Sequence, residues 1–314
     1  MDGLVVIVGG SGFVGRYVVQ ELARTGVRMR VVVRTPEAAA FLRPLGAVGQ
    51  IQLVGGNVSD AAGLGRAFEN ATAGVNLVGI LAESGKQRFD AVQAKGAGNV
   101  ARAAAAAGVA AFVQVSAIGA DAASPARYAQ TKAAGEAAVH AALPHATILR
   151  PSIIFGPEDQ FINRFAQLAR TLPVVPVVAG ATRFQPVYVL DVAQAVAAAL
   201  ADPAQFGGKI FELGGPTRYA FREIIAWILR EIRVGKPLVE VPALIAKAMA
   251  RAGDFVPGAP MTFDQWTMLQ TDNIATGPGL AAFGISPTPL ESVAPRYLER
   301  YRSGGRFHRD AAPT

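Results

Sequence analysis

The chain has 314 residues, 51% hydrophobic and 17% charged, which supplies the core of one large or two fused domains and excludes a disordered or fibrous polypeptide. It contains no cysteine and three histidines, His140, His145 and His308, so disulfide frameworks and thiolate or histidine-built metal sites are excluded and no metal is expected. Thirty Lys and Arg against 23 Asp and Glu give a net charge of +7, a bias toward acidic partners or an anionic membrane surface within an otherwise soluble, Arg- and Ala-rich composition.

In chain order, the apolar run Leu4 to Val8 reads as a strand buried on both faces, and Gly9-x-x-Gly12-x-x-Gly15 turns it into the amphipathic stretch Arg16 to Arg24. Glycines at this spacing allow a tight turn, close approach of backbone N–H groups to a pyrophosphate and close helix–strand packing, while the helix N-terminus adds a positive field. Gly9, Ser11, Gly12, Phe13, Val14 and Gly15 are therefore candidate dinucleotide-binding residues. A second strand, Val27 to Arg34, ends about twenty residues beyond the glycines, where a dinucleotide fold reads the ribose. Arg34 stands there instead of an acid, and Arg16 follows Gly15, so two guanidiniums can meet a 2′-phosphate. That favours NADP(H), with NAD(H) as the second option.

The alternation continues through strand Ile51 to Val54, helix Ala61 to Glu69, strand Val75 to Ile80, helix Arg88 to Ala107, strand Ala111 to Ser116, helix Arg127 to Ala142 and strand Thr147 to Arg150. Such β-α units predict an α/β fold, a Rossmann-type doubly wound parallel sheet, over residues 1–150, with ligands at the carboxyl ends of the strands. Asn57 and Val58 are placed for the adenine, Val78 and Gly79 for the inner ribose, and Pro151, Ile153 and Ile154 for the nicotinamide. Residues 151–314 are expected to form a smaller C-terminal α/β lobe interleaved with the core, built from strand Val187 to Val189, helix Asp191 to Ala201, strand Ile210 to Leu213 and the apolar helix Phe221 to Ile232.

Within the last turn-rich region, helix Ala243 to Ala252 pairs Leu244, Ile245 and Met249 with Lys247 and Arg251, a pattern compatible with an interfacial helix, although core packing with a solvated basic face is favoured. Arg296, Arg300, Arg302, Arg306 and Arg309 make a basic finish, read as a frayed, solvated tail. No apolar stretch reaches the about 18 residues of a transmembrane span. The first strand begins so early that no signal or transit peptide is expected. A P-loop and a nucleophile elbow are absent, and the scattered arginines argue against nucleic acid.

Tyr128 and Lys132 lie four apart, one turn from each other on one helical face. A neighbouring ammonium favours the phenolate of a group whose ordinary pKa is about 10, which makes proton transfer feasible. With the glycine turn before it, this Tyr-x-x-x-Lys resembles the short-chain dehydrogenase/reductase superfamily, extended or atypical branch. The resemblance implies that Tyr128 is the acid/base, that Lys132 positions the nicotinamide ribose, and that Ser116 supplies the third catalytic hydroxyl. Extended members often carry that hydroxyl one residue later, where this chain has Ala117, so the triad is incomplete or displaced and activity stays open.

Arg150-Pro-Ser-Ile-Ile-Phe-Gly-Pro-Glu-Asp-Gln-Phe-Ile-Asn-Arg-Phe165 is more particular. With Val75 to Ile80, Pro186 to Ala193, Thr271 to Asn273 and Gly284 to Pro289, it resembles one atypical subfamily, that of the NADPH-holding accessory subunit of respiratory complex I and its bacterial relatives. The resemblance implies a cytoplasmic protein, peripheral at the inner membrane, whose partners are complex I subunits or the membrane-bound quinone system. An active NADP(H)-dependent reductase or epimerase on a small carbonyl or sugar-like substrate is the alternative, and a sensor of the NADPH/NADP ratio a third.

Overall fold

A computed structural model describes residues 3–254, 256, 259 and 261–303. Through the first half of the chain, β-branched runs alternate with helices: β1 (Leu4–Val8), α1 (Phe13–Arg24), β2 (Arg28–Val33), β3 (Ile51–Gly55), α2 (Ala61–Phe68), β4 (Ala73–Asn76), α3 (Gly96–Ala106), β5 (Ala111–Val115), α4 (Arg127–Ala142) and β6 (Thr147–Pro151). There follow β7 (Ile154–Phe155), α5 (Ile162–Thr171), β8 (Val175–Val177), β9 (Arg183–Phe184), β10 (Val187–Tyr188), α6 (Val189–Ala201), α7 (Pro203–Phe206), β11 (Ile210–Leu213), β12 (Tyr219–Ala220), α8 (Phe221–Glu231), β13 (Leu238–Glu240), α9 (Ala243–Gly253), α10 (Phe263–Met268) and α11 (Leu290–Leu298). The chain divides into two units, the first comprising Met1–Ser152, Val189–Gly214 and Ala275–Ser286, the second Ile153–Tyr188, Gly215–Ile274 and Pro287–Thr314.

The first unit is built on a seven-stranded sheet of order β11-β6-β5-β4-β1-β2-β3, parallel throughout. Strand order reverses between β1 and β4, which opens the crevice where ligands bind in such sheets. Val6 and Val8 project into a core shared with Leu64 and Phe68 of α2, Val100 of α3 and Val139 of α4. Helices α1 and α6 pack together. Both faces being covered, β1 and β5 carry no polar residue except Gln114, which is bonded.

The second unit has a separate core, Phe155, Ile162, Ile224, Ile225, Ile228, Leu290 and Leu298. Its organiser is Asp159, which is 3% exposed and precedes α5. One carboxylate oxygen accepts from the backbone N–H of Phe161 (2.9 Å), Ile162 (2.6 Å) and Asn163 (3.3 Å), and the other from Gly156 N–H (3.2 Å) and the Tyr297 hydroxyl (3.0 Å). Burial raises the Asp159 pKa, against the lowering effect of these donors.

Four expectations are corrected. The strand read over Val75 to Ile80 ends at Asn76, whose side-chain oxygen accepts from Val78 N–H at 3.2 Å and turns the chain. The helix read from Arg88 opens with a π-helical turn, Asp90–Lys95, which brings the Gln93 carbonyl so close to Gly135 of α4 that a Cβ there would overlap it. On α9 the core-packing reading fails: Ala246 and Ala250 are buried, whereas Leu244, Ile245 and Met249 are exposed. The basic finish is not frayed where it is described, because Arg300 donates to the Pro157 carbonyl and to Asn163, and Arg302 to the Glu231 carbonyl. Arg306 and Arg309 lie outside the described residues.

Candidate functional site

Gly9 leaves β1 at φ +88°, a region in which a side chain is strained. A Cβ on Gly9 would also lie 2.9 Å from a methyl of Val78, and one on Gly15 would overlap the Gly9 carbonyl and the Gly10 backbone. The turn is held by Gly9 N–H to the Val32 carbonyl (3.1 Å) and Gly12 N–H to the Gly9 carbonyl (3.2 Å). Gly12 opens α1 with no side-chain cap, and no acid stands in the first turn. The leading N–H groups and the positive end of α1 are thus left for a ligand anion. Ser11, Phe13 and Val14 in this turn are half-buried.

Because the strands are parallel, the other candidates of this unit follow carboxyl ends along the same edge. Arg34 follows β2, exposed, with no hydrogen bond or ion pair among the described residues. Arg16 is half-buried with its guanidinium 5.1 Å from the centre of the Phe41 ring. Beyond β3, exposed Asn57 accepts from Ser59 N–H (3.1 Å), and buried Val58 offers its carbonyl to Asn99 (2.8 Å). Val78 and Gly79 follow β4, Ser116 follows β5 and Pro151 ends β6. Ile153 and Ile154 belong to the second unit, where Ile154 pairs with Val187.

Helix α4 carries both Tyr128 and Lys132 on its buried face, at 8% and 7% exposure. The Lys132 ammonium lies 5.9 Å from the centre of the Tyr128 ring, and a Cβ on Gly79 would come within 3.2 Å of it. A side chain at position 79 would therefore press on the lysine tip. Burial brings the Lys132 pKa down from 10.5 to about 8, against the opposing pull of Glu136. That pull is weakened because Glu136 is gripped by Arg150 through two bonds of 2.9 and 2.6 Å. The Glu136 contact holds the Arg150 guanidinium above its ordinary range, with Glu212, 3.8 Å away, adding to it.

Ser116 is 5% exposed, and its hydroxyl, fully buried, has no hydrogen-bond partner. A buried hydroxyl without a partner is costly, and a ligand oxygen at the strand end would satisfy it. An uncapped helix start, a glycine turn, an orphaned hydroxyl and a desolvated ammonium along one sheet edge fit a nicotinamide dinucleotide. Two residues that sequence reasoning missed support this edge. Asn76 donates to Gln114 at 2.9 Å, and Gln114 donates to the Val115 carbonyl at 2.9 Å, locking the ends of β4 and β5. A buried amide at the last position of β4 and another at the last but one of β5 were the available signal.

Sheet order, glycine turn and Tyr-x-x-x-Lys helix together define a dinucleotide-binding α/β protein of the short-chain dehydrogenase/reductase kind. The sequence pattern of the NAD dependent epimerase/dehydratase family matches residues 5–214, and the chain belongs to that family. It is similar to the NADH dehydrogenase [ubiquinone] 1 alpha subcomplex subunit 9, mitochondrial, of Arabidopsis thaliana, 34% identical over 329 residues, covering 97% of this chain and 80% of that protein. It is also similar to the ceramide reductase of Caulobacter vibrioides, 33% identical over 266 residues, covering 83% of this chain and 81% of that protein. The NADPH-dependent quinone oxidoreductase of Escherichia coli, solved with NADPH, shares the fold with a TM-score of 0.72 at 23% identity, over 92% of this chain and 98% of that one. Among the described residues no group of His, Asp and Glu is arranged to hold a metal, and no helix is long and apolar enough to cross a membrane.

Proposed function

We propose that the protein holds NADP(H) and acts as a nucleotide-stabilised accessory or assembly subunit of respiratory complex I, or as the stand-alone bacterial relative of that subunit, on the cytoplasmic face of the inner membrane. The observation that carries this reading is the 34% identity to the alpha subcomplex subunit across 97% of the chain. In this reading residues Gly9 to Gly15 cradle the pyrophosphate, and Arg16 with the unengaged Arg34 takes the 2′-phosphate. Asn57 and Val58 face the adenine, Val78 and Gly79 the inner ribose, and Ser116, Lys132 and Pro151 hold the nicotinamide half. A ligand bound only by the folded state stabilises it by mass action without turnover.

A second reading is favoured by the ceramide reductase relative together with the intact Ser116, Tyr128 and Lys132. A bound nicotinamide would supply a hydride to a carbonyl. Tyr128 would then deliver the proton to the carbonyl oxygen, Ser116 would donate a hydrogen bond to that oxygen, and Lys132 would hold the ribose and favour the phenolate. The deciding experiment is a pull-down of the protein from native membranes in mild detergent, with identification of co-purified subunits and released nucleotide. Recovery of complex I subunits with NADP(H) is expected. A solitary protein that reduces a carbonyl would overturn the accessory reading.

A further inference from the structure

Helix α9 is turned inside out. In a helix packed on a globular unit the large apolar side chains face inward and charges face water. Here the inward positions are the alanines Ala246 and Ala250, while Leu244, Ile245 and Met249 stand 85%, 54% and 53% exposed. At 3.6 residues per turn, Leu244, Ile245, Ala248 and Ala252 share the face opposite those alanines, with Met249 at one border and Lys247 and Arg251 at the other. Val239 (46%) and Val256 (57%) extend the apolar exposure on either side of the helix. Half of the large exposed apolar side chains among the described residues thus fall within one short stretch of the second unit.

The basic border is fixed rather than floating. Lys247 lies 5.6 Å from the centre of the Trp266 ring and Arg251 4.6 Å from that of Phe263, and those two rings stack at 5.5 Å on α10, none of whose residues is fully buried. Phe263 N–H donates to Asp254 at 2.9 Å, which ties the end of α9 to the start of α10. Helix α9 contains no acidic residue.

We propose that the outer face of α9 docks in the headgroup and acyl boundary of a bilayer containing anionic phospholipid, with Leu244, Ile245 and Met249 inserted and Lys247 and Arg251 at the headgroups. The helix is too short to cross a membrane and so lies in the plane of the interface. Charge selects the occupant. The border carries Lys247 and Arg251 with no acid on α9 to offset them, and anionic headgroups complement it. Half-exposed Trp266, with one edge apolar and one polar, suits the same depth.

The test is flotation of the purified full chain with vesicles of phosphatidylcholine alone and of phosphatidylcholine mixed with phosphatidylglycerol. Binding to the mixed vesicles is expected, with a blue shift of Trp266 emission. Leu244→Gln, Ile245→Gln and Met249→Gln combined should weaken it by about tenfold or more. Lys247→Gln and Arg251→Gln should each weaken it by about fivefold and flatten its salt dependence. Nucleotide binding by each variant reports that the fold is intact. Equal flotation of the triple variant would overturn the proposal. So would no binding to either vesicle, or a concentration-dependent dimer abolished by the triple substitution.

Discussion

Lys132→Met isolates the cost of placing an ammonium inside the fold. The fall in the Lys132 pKa from 10.5 to about 8 means that the folded state holds this proton less tightly than the unfolded chain, by about 3 kcal/mol. Between those two pH values the unfolded chain carries more protons, so wild-type stability rises as pH rises through the window. Methionine removes the charge at similar volume, and Glu136 is not orphaned because Arg150 already holds both its oxygens. In nucleotide-free protein the variant should therefore gain about 3 kcal/mol below about pH 8. The gain should shrink toward zero as pH approaches about 10.5. Urea unfolding of both proteins across this range, with unchanged m-values, measures the difference directly. A gain independent of pH, or a loss at neutral pH, would refute the desolvation argument. With nucleotide added the order should reverse, because the ligand stabilises only the protein that binds it well.

The remaining predictions concern separate groups. Arg34→Asp should weaken NADP(H) binding by about tenfold to a hundredfold, the loss of one charge-assisted contact, and spare or improve NAD(H); unchanged titrations for both would remove the 2′-phosphate assignment. Tyr128→Phe should lower any carbonyl reduction by about a hundredfold or more and leave nucleotide binding and subunit association intact. Asp159→Ala should cost about 3 kcal/mol in unfolding experiments, since it strips the start of α5 and the Tyr297 hydroxyl of their acceptor; a loss below about 0.5 kcal/mol would show that water replaces it.

Much of the nucleotide-binding edge was legible because its signals are local. Gly9, Gly12 and Gly15 sit at a fixed spacing after a strand, and Tyr128 and Lys132 one helical turn apart, so sequence separation alone places them. The helix Arg127–Ala142 and the strand Ile210–Leu213 coincide with their predicted ranges. The departures have non-local causes. Asn76 ends its strand through its own side chain, but its other partner, Gln114, lies one strand away. The π-helical turn at Gln93 answers to Gly135 on another helix. Small β-pairs such as Phe184 with Tyr219 depend on tertiary partners and have too few residues for a periodicity. On α9 the periodicity was visible, but which face turns inward was not, because alanines filled the inward positions.

The order of strands in the first unit governs how the chain can be completed. Residues up to Ser152 contain six of the seven parallel strands, yet β6 lacks its outer neighbour β11, and α1 lacks α6. Both arrive only after the excursion Ile153–Tyr188, and Ala275–Ser286 joins later still. During synthesis the nucleotide-binding half must therefore wait, with one apolar helix face and one sheet edge unpaired, until β11 has been made at Leu213, about two-thirds of the way along the 314 residues. A fragment ending near residue 152 would carry every glycine of the phosphate turn together with Tyr128 and Lys132, and still expose the surfaces that drive misassembly. Binding competence in this protein is thus a late event in the life of the chain, although nearly all of its motifs are written early.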